Sequence, residues 1–335
     1  MSKRILNKNL GKARAQKNDE FYTQLSDIEQ EMKHYRHHFK DKVVYCNCDD
    51  PRISNFFKYF SLNFKTLGLK KLITTCYKSQ NPDLFSTGDS ERAIYLEYDG
   101  TANLNEIPSL SDTEITHLQG DGDFRSSEAI ELLKQADIVV TNPPFSLFRE
   151  FVSQLIEYNK KFLIIGHQNA ITYKDIFKLI RDGDVWLGVE NGGTKWFAVR
   201  DHYDITTESR KKIEGGQKYF SMGNVNWFTN LDHPKRHEEK ILYRNYDENE
   251  YQKFDNYEAI NVDKLKDIPA DYFGVMGVPI TFLEQHNPSQ FEIIGLIAGN
   301  IKGLAGIPSS SGKDGPYING KLKYGRILIR RIQQP

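Results

Sequence analysis

The residues most able to do chemistry are Asn142-Pro143-Pro144-Phe145, which end the apolar run Asp137-Ile138-Val139-Val140-Thr141. Two successive prolines lack N–H groups and have fixed φ, so this loop is stiff and its carbonyls are left as acceptors. The Asn142 amide oxygen and the Pro143 carbonyl can together hold the two hydrogens of an exocyclic amine. Held that way, the amine nitrogen turns toward tetrahedral geometry and aims its lone pair at an electrophilic carbon. Phe145 can stack on the face of a planar ring. Such catalysis consists of positioning and electrostatics, with no metal and no covalent intermediate.

Three other segments carry polar groups that suit a small-molecule ligand. The run Val43–Cys48 ends in Asp49-Asp50-Pro51, whose carboxylates can bind an amino group or ribose hydroxyls. In Gln119-Gly120-Asp121-Gly122-Asp123-Phe124 the glycines permit a tight turn, Asp123 can accept from an adenine amine, and Phe124 can pack on its ring. In Asp19-Glu20-Phe21-Tyr22-Thr23-Gln24 the aromatic pair can close over a ligand, with Thr23 bonding its carboxylate. Taken singly, each is also an ordinary turn or helix entrance.

The elements that must position these loops follow from periodicity. Short apolar runs at 43–48, 71–77, 93–98, 114–119, 137–141 and 162–166 alternate with amphipathic stretches at 26–39, 53–68, 126–136 and 146–160. That alternation predicts an α/β fold with a mostly parallel sheet covered on both faces. In such sheets ligands sit at the carboxyl ends of the strands, so the loops after 48, 119 and 141 are expected to converge there. Ser26 with Glu29 reads as a capping box for the first helix, and His34, His37 and His38 read as its solvated face.

Three domains are expected: a basic arm over 1–18, a ligand-binding and catalytic core over 19–183, and a remainder over 184–335. The arm carries Lys3, Arg4, Lys12 and Arg14 before any acidic residue, which suits contact with phosphates. The last region mixes Trp186, Trp196, Phe197, Tyr219, Phe220, Trp227 and Phe228 with Arg210-Lys211-Lys212 and Lys235-Arg236. It reads as irregular β structure that fits either a nucleic-acid surface or an ordinary β core with solvated charges.

Composition sets bounds. With 335 residues the chain can bury a substantial core, and Lys+Arg equals Asp+Glu at 45 each, so net charge indicates no partner. Cys46, Cys48 and Cys76 are too few for a disulfide framework and read as reduced, packed thiols. No metal site is expected, no apolar run is long enough for a membrane span, and the basic N-terminus lacks the apolar stretch of a secretory signal. A cytoplasmic protein is expected.

With these segments in view, the chain resembles the EcoRI-type adenine-specific DNA methyltransferases. The resemblance is densest from DEFYTQ through KVVYCNCDDPRISNFFKYF and GDGDFRS to ADIVVTNPPFSLFREF and KKFLIIGHQNAITY. It implies a Rossmann-like methyltransferase fold with an open, largely parallel seven-stranded sheet, one strand antiparallel, and a C-terminal target-recognition region. It also implies S-adenosylmethionine as cofactor and N6 of a flipped-out adenine in double-stranded DNA as target. In that frame Asn142, Pro143, Pro144 and Phe145 form the catalytic loop. Asp49, Asp50, Asp123 and Phe124 line the cofactor pocket with Cys46 and Asp121, and Tyr22 and Thr23 lie at its edge.

The resemblance further implies a monomer, and a cognate restriction endonuclease as cellular counterpart without direct contact. The chain departs from the general methyltransferase pattern at the first strand, which lacks a glycine-rich turn, and at the second, which lacks a carboxylate for the ribose; Glu97 or Asp99 can substitute. The tetrapeptide alone also admits cytosine N4, RNA adenine or a protein glutamine as the methylated amine, or an inactive scaffold that binds DNA.

Overall fold

The computed structural model describes residues 23–48, 50–51, 54–77, 93–101, 116–199, 205–299 and 301–333. The chain divides into two compact units, one of residues 1–168 and 190–231, the other of 169–189 and 232–335.

The first unit is built on strands β1 (Val43–Asn47), β2 (Lys71–Thr75), β3 (Ile94–Tyr98), β4 (Thr116–His117), β5 (Ile138–Thr141), β6 (Lys161–His167) and β11 (Val225–Thr229). Their order across its large mixed sheet is β4-β3-β2-β1-β5-β6-β11. The four central strands β2, β1, β5 and β6 are mutually parallel, and β11 runs against β6. All five residues of β1 and all four of β5 are buried, as expected of strands covered on both faces.

One expectation is corrected here. Beyond the single antiparallel strand implied by the resemblance, β3 also runs against β2, and β4 against β3. The burial of β3 alternates, with only every second residue inside. That is the pattern of an antiparallel strand wet on one side.

Helices cover the sheet where the periodicity placed them. Helix α2 (Asn55–Leu62) starts on Ser54, whose hydroxyl accepts from Phe56 N and Phe57 N at 3.1 and 3.2 Å. A short turn, α3 (Phe64–Leu67), then stops at Gly68 in the left-handed region. Helix α4 (Ser127–Gln135) is capped by Ser126, and α5 (Phe148–Glu157) follows the Asn142-Pro143-Pro144-Phe145 loop. Phe56 of α2 packs edge-on to Trp227 of β11 at 6.1 Å, whereas Phe148 of α5 packs on Phe228 at 5.0 Å. Trp227 and Phe228 are successive strand residues and point to opposite faces. Hence α2 and α5 cover opposite sides.

Helix α1 (Leu25–Met32) is shorter than expected and begins earlier. Its cap position is the extended residue Gln24, which places Ser26 inside the first turn, so the anticipated Ser26–Glu29 capping box does not form. His34, expected on a solvated face, pairs with Glu190 at 3.1 Å.

From the same unit a three-stranded antiparallel sheet extends in the order β8 (Thr194–Val199), β10 (Gln217–Gly223), β9 (Lys211–Glu214). Strand β10 passes through Asn224, at φ 61°, directly into β11.

The second unit holds α6 (Lys174–Asp182), β7 (Trp186–Leu187) and a four-stranded sheet. That sheet runs β12 (Ile260–Asn261), β13 (Met276–Pro279), β17 (Arg326–Arg331), β14 (Phe291–Ile297), with a small ribbon of β15 (Tyr317–Ile318) and β16 (Lys321–Leu322) beside it. Phe254, Tyr257, Val275, Ile297 and Leu328 form its core. Among the described residues no helix is long and apolar enough to cross a membrane.

Candidate active site

The Asn142-Pro143-Pro144-Phe145 loop starts where β5 ends. Thr141, wholly buried, donates its hydroxyl to the carbonyl of Asn47, the last residue of β1. The tips of β1 and β5 are therefore tied together. Asn142 and Pro144 are part-exposed, and Pro143 and Phe145 are buried. The Pro144 carbonyl accepts from Leu147 N at 3.0 Å, closing the 3-10 turn Phe145–Leu147 that leads into α5. The Pro144 carbonyl is thereby used within the turn itself.

The segment 119–124 does converge on the same edge. Gly122 sits at φ +76°, and a Cβ there would lie 2.3 Å from the carbonyl of Cys76, just past the tip of β2. Only glycine permits both that backbone conformation and that approach. Gln119 N and Gly120 N donate to the Glu128 carboxylate at 3.1 and 2.8 Å, which fastens the segment to α4. Asp123 is held by the Arg125 guanidinium, which also reaches Glu150 on α5 at 2.8 Å.

Phe124 is packed against the neighbouring helix. Its ring is 4% exposed, packs edge-on against Phe151 at 5.1 Å, and has the Arg125 guanidinium 5.3 Å from its centre. Its carbonyl accepts from the Gln154 side chain at 3.1 Å. Phe124 therefore anchors the loop to α5. Asp121 is exposed and accepts from Asp123 N at 3.0 Å.

At the tip of β1, Cys46 is buried and Asp50 part-exposed, and Cys48 turns the chain at φ 68°. Thr23 is buried beside α2, its carbonyl accepting from the Asn55 side chain at 2.7 Å. Tyr22, Asp49 and the arm residues Lys3, Arg4, Lys12 and Arg14 lie outside the described residues.

Glu97 and Asp99 are excluded as ribose ligands by the direction of β3. Because β3 is antiparallel to β2, its end lies at the amino end of the parallel strands, away from the loops. Glu97 bonds Tyr95 and pairs with Lys71, the first residue of β2, at 2.9 Å, while Asp99 caps Thr101 at 2.7 Å. Burial opposes ionisation of the Glu97 carboxyl, but its Tyr95 and Lys71 partners outweigh that effect and hold it below its ordinary range.

Three polar residues at the carboxyl edge escaped the sequence reading. Asn47 is 2% exposed, and its side-chain oxygen has no hydrogen-bond partner among the described residues. Asn226 is 1% exposed, with neither side-chain atom partnered among the described residues. It pairs with Gly166 one residue before the end of β6. His167, the last residue of β6, is buried and its pKa is lowered by that burial. The available signal was a polar residue interrupting an apolar run at its catalytic end, as in Val225-Asn226-Trp227-Phe228.

A buried strand that presents an amide, two prolines and an aromatic ring at the carboxyl edge of a mostly parallel sheet defines an amine-directed methyltransferase. Comparison with known proteins narrows that class. The family model described as "Adenine-specific methyltransferase EcoRI" matches residues 9–332, and the chain belongs to that family. It is 51% identical to the type II methyltransferase M.EcoRI of Escherichia coli, with both chains covered completely. It is 40% identical to M.MpnI of Mycoplasma pneumoniae and 38% identical to M.MgeORF184P of Mycoplasma genitalium, in each case over 96% of this chain and 98% of the relative. No solved structure matches. The enzyme is accordingly an adenine-specific type II DNA methyltransferase.

Proposed function

We propose that the enzyme methylates N6 of an adenine rotated out of duplex DNA, with S-adenosylmethionine as donor. The observation that carries this reading is the rigid delivery of Asn142-Pro143-Pro144-Phe145 by a fully buried strand whose tip is tied to β1.

The residues around the tip of β1 fit that cofactor. Asn47 offers a buried acceptor with no partner among the described residues, which suits an ammonium group, and the buried Thr23 hydroxyl suits a carboxylate. Asp49, Asp50, Asp121 and Asp123 supply acceptors for hydroxyls and an adenine amine, Cys46 and Phe124 form the apolar backing, and Tyr22 closes the edge. When bound, the cofactor supplies a methyl group already activated on sulfonium.

The chain's own residues do the rest. Asn142 Oδ1 and the Pro143 carbonyl accept the two N6 hydrogens, which draws the nitrogen out of conjugation and exposes its lone pair. Pro143 and Pro144 keep the acceptors from moving. Phe145 stacks on the extruded base, worth roughly 1–3 kcal/mol against an unstacking cost of a few kcal/mol. After transfer the nitrogen is cationic and releases one of the held hydrogens to water as a proton, because neither amide oxygen is basic enough to keep it.

The arm over 1–18, with Lys3, Arg4, Lys12 and Arg14, and the region over 184–335 are assigned to DNA contact and target recognition. The sheet, with strands from both the 19–183 core and the later region, is assigned to the seven-stranded methyltransferase pattern. The enzyme acts as a cytoplasmic monomer, and its counterpart is a restriction endonuclease that shares its site without touching it.

The test is transfer of labelled methyl groups to unmodified duplex DNA, RNA and protein extract, with the product identified by mass. N6-methyladenine in duplex DNA is expected. Label confined to cytosine, RNA or protein would overturn the substrate.

A further inference from the structure

The β9–β10 hairpin ends in an exposed tip that its own packing does not explain. Glu214 pairs with Gln217, so the turn between the strands is only Gly215-Gly216, both at positive φ. Such a two-residue turn makes a narrow tip. A Cβ on either glycine would meet nothing within 4 Å among the described residues, so side chains could be added at the tip without a clash there.

Just before the tip, Ile213 is 64% exposed. Register places it on the same face as Phe220, Val199 and Phe197, which are buried, but one step beyond where that core ends. An isolated exposed isoleucine is common and signifies little. The surroundings of this one are specific. Over residues 194–199 and 208–223 there are five cations (Lys195, Arg210, Lys211, Lys212, Lys218) against two carboxylates (Glu208, Glu214). Lys218 lies directly across from Ile213, and the Lys212 ammonium lies 6.0 and 5.7 Å from the ring centres of Trp196 and Tyr219 on the other face.

The root of the hairpin matters as much as its tip. Strand β10 continues through Asn224 into Val225, which pairs with His167 at the carboxyl end of β6. The ribbon therefore springs from the same edge of the sheet as the catalytic loop, two strands across from β5.

We propose that this hairpin is a wedge for duplex DNA, in which Ile213 enters the base stack where the target adenine has left and Lys218 and Lys211 hold the flanking phosphates. Apolar side chains inserted between base steps are an established means of holding an unstacked duplex open. The inference rests on the base-extrusion reading above.

The experiment compares wild type with Ile213→Ala and Lys218→Ala on a duplex bearing the mapped target site. The target position carries adenine for transfer or the fluorescent analogue 2-aminopurine for extrusion. Ile213→Ala is expected to slow single-turnover transfer about tenfold and to reduce the fluorescence rise, with cofactor affinity unchanged. Opposite an abasic site, where the stack is already broken, the same variant is expected to recover nearly wild-type rates. Lys218→Ala is expected to lower the slope of log affinity against log salt by about one, whereas Ile213→Ala leaves it alone.

Wild-type rates and extrusion in Ile213→Ala on the intact duplex would overturn the wedge. So would a defect that persists opposite the abasic site. If the wild-type enzyme itself produces no fluorescence rise but transfers methyl groups, base extrusion fails and takes the wedge with it. A normal rise in wild type and variant alike sinks the wedge alone.

Discussion

The tips of β1 and β5 and the tip of the β9–β10 hairpin belong to one unit, yet they are built by opposite rules. Every residue of β1 and β5 is buried, and the polar groups Thr141, Asn47 and, on β11, Asn226 are held inside the sheet. At the hairpin, Ile213, Glu214 and both glycines are exposed. The first region holds its polar groups by packing. The second meets a large, charged partner and owes the core little. Substitutions at the first should damage chemistry or folding, and those at the second should change DNA behaviour alone.

The largest expected effect that sharpens this contrast is at Asn142. Asn142→Ala is expected to lower turnover by about 10²–10³-fold while melting temperature and DNA affinity stay near wild type. Turnover within a few fold of wild type would remove the amide from the mechanism. Gly122→Ala comes next, because it combines positive φ with a 2.3 Å approach to the Cys76 carbonyl. A loss of about 1–3 kcal/mol is expected in urea denaturation, together with weaker cofactor binding. An unchanged midpoint would show that the 119–124 segment is not clamped to β2.

Asn226 should respond in the opposite sense. The buried Asn226 amide has no partner among the described residues and so bears a desolvation cost of about 1–3 kcal/mol, and Asn226→Leu is expected to stabilise the fold by an amount in that range. A clear destabilisation in the same assay would mean that the amide is bonded in solution.

Smaller still is the effect of pH. Burial lowers the pKa of His167, His233 and His286 below the ordinary 6.5. Below that value the unfolded chain therefore takes up protons that the folded protein does not. Stability is expected to be complete above the ordinary histidine pKa and to fall as pH drops through and below it. Melting temperature, followed from neutral pH down to about one unit below the ordinary histidine pKa, reads that fall. His167→Gln should flatten part of it. The smallest effect belongs to the hairpin, where Ile213→Ala is expected to shift stability by no more than about 0.5 kcal/mol. A larger loss would mean that the tip is part of the core, and the contrast between the two regions would collapse.

Much of the first region was legible in the sequence because its strands are unbroken apolar runs. Val43–Asn47, Ile138–Thr141 and Lys161–His167 formed where the runs lay, and Asn142-Pro143-Pro144-Phe145 fell at the expected edge. Strand direction was not legible. The residues of β3 alternate in the same way whichever way the strand runs, so Glu97 was placed at the wrong end of the sheet. The packing partner of Phe124 was not legible either. An aromatic after a glycine turn can be anchored by several elements, and only the position of Phe151 on α5 shows which one holds it. Asn226 escaped because a single amide within Val225–Thr229 counts for little against its apolar neighbours.

The clear space around Gly215-Gly216 also has a consequence for proteolysis. A protease needs several residues of accessible backbone, and exposed small-residue tips are where nicking concentrates. A cut at this turn would leave β10 joined to β8 along six paired residues and continuous with β11. The two fragments should therefore stay together through gel filtration and separate only in denaturant. Such a nicked enzyme would keep its catalytic sheet intact while the two arms of the ribbon came apart at the tip.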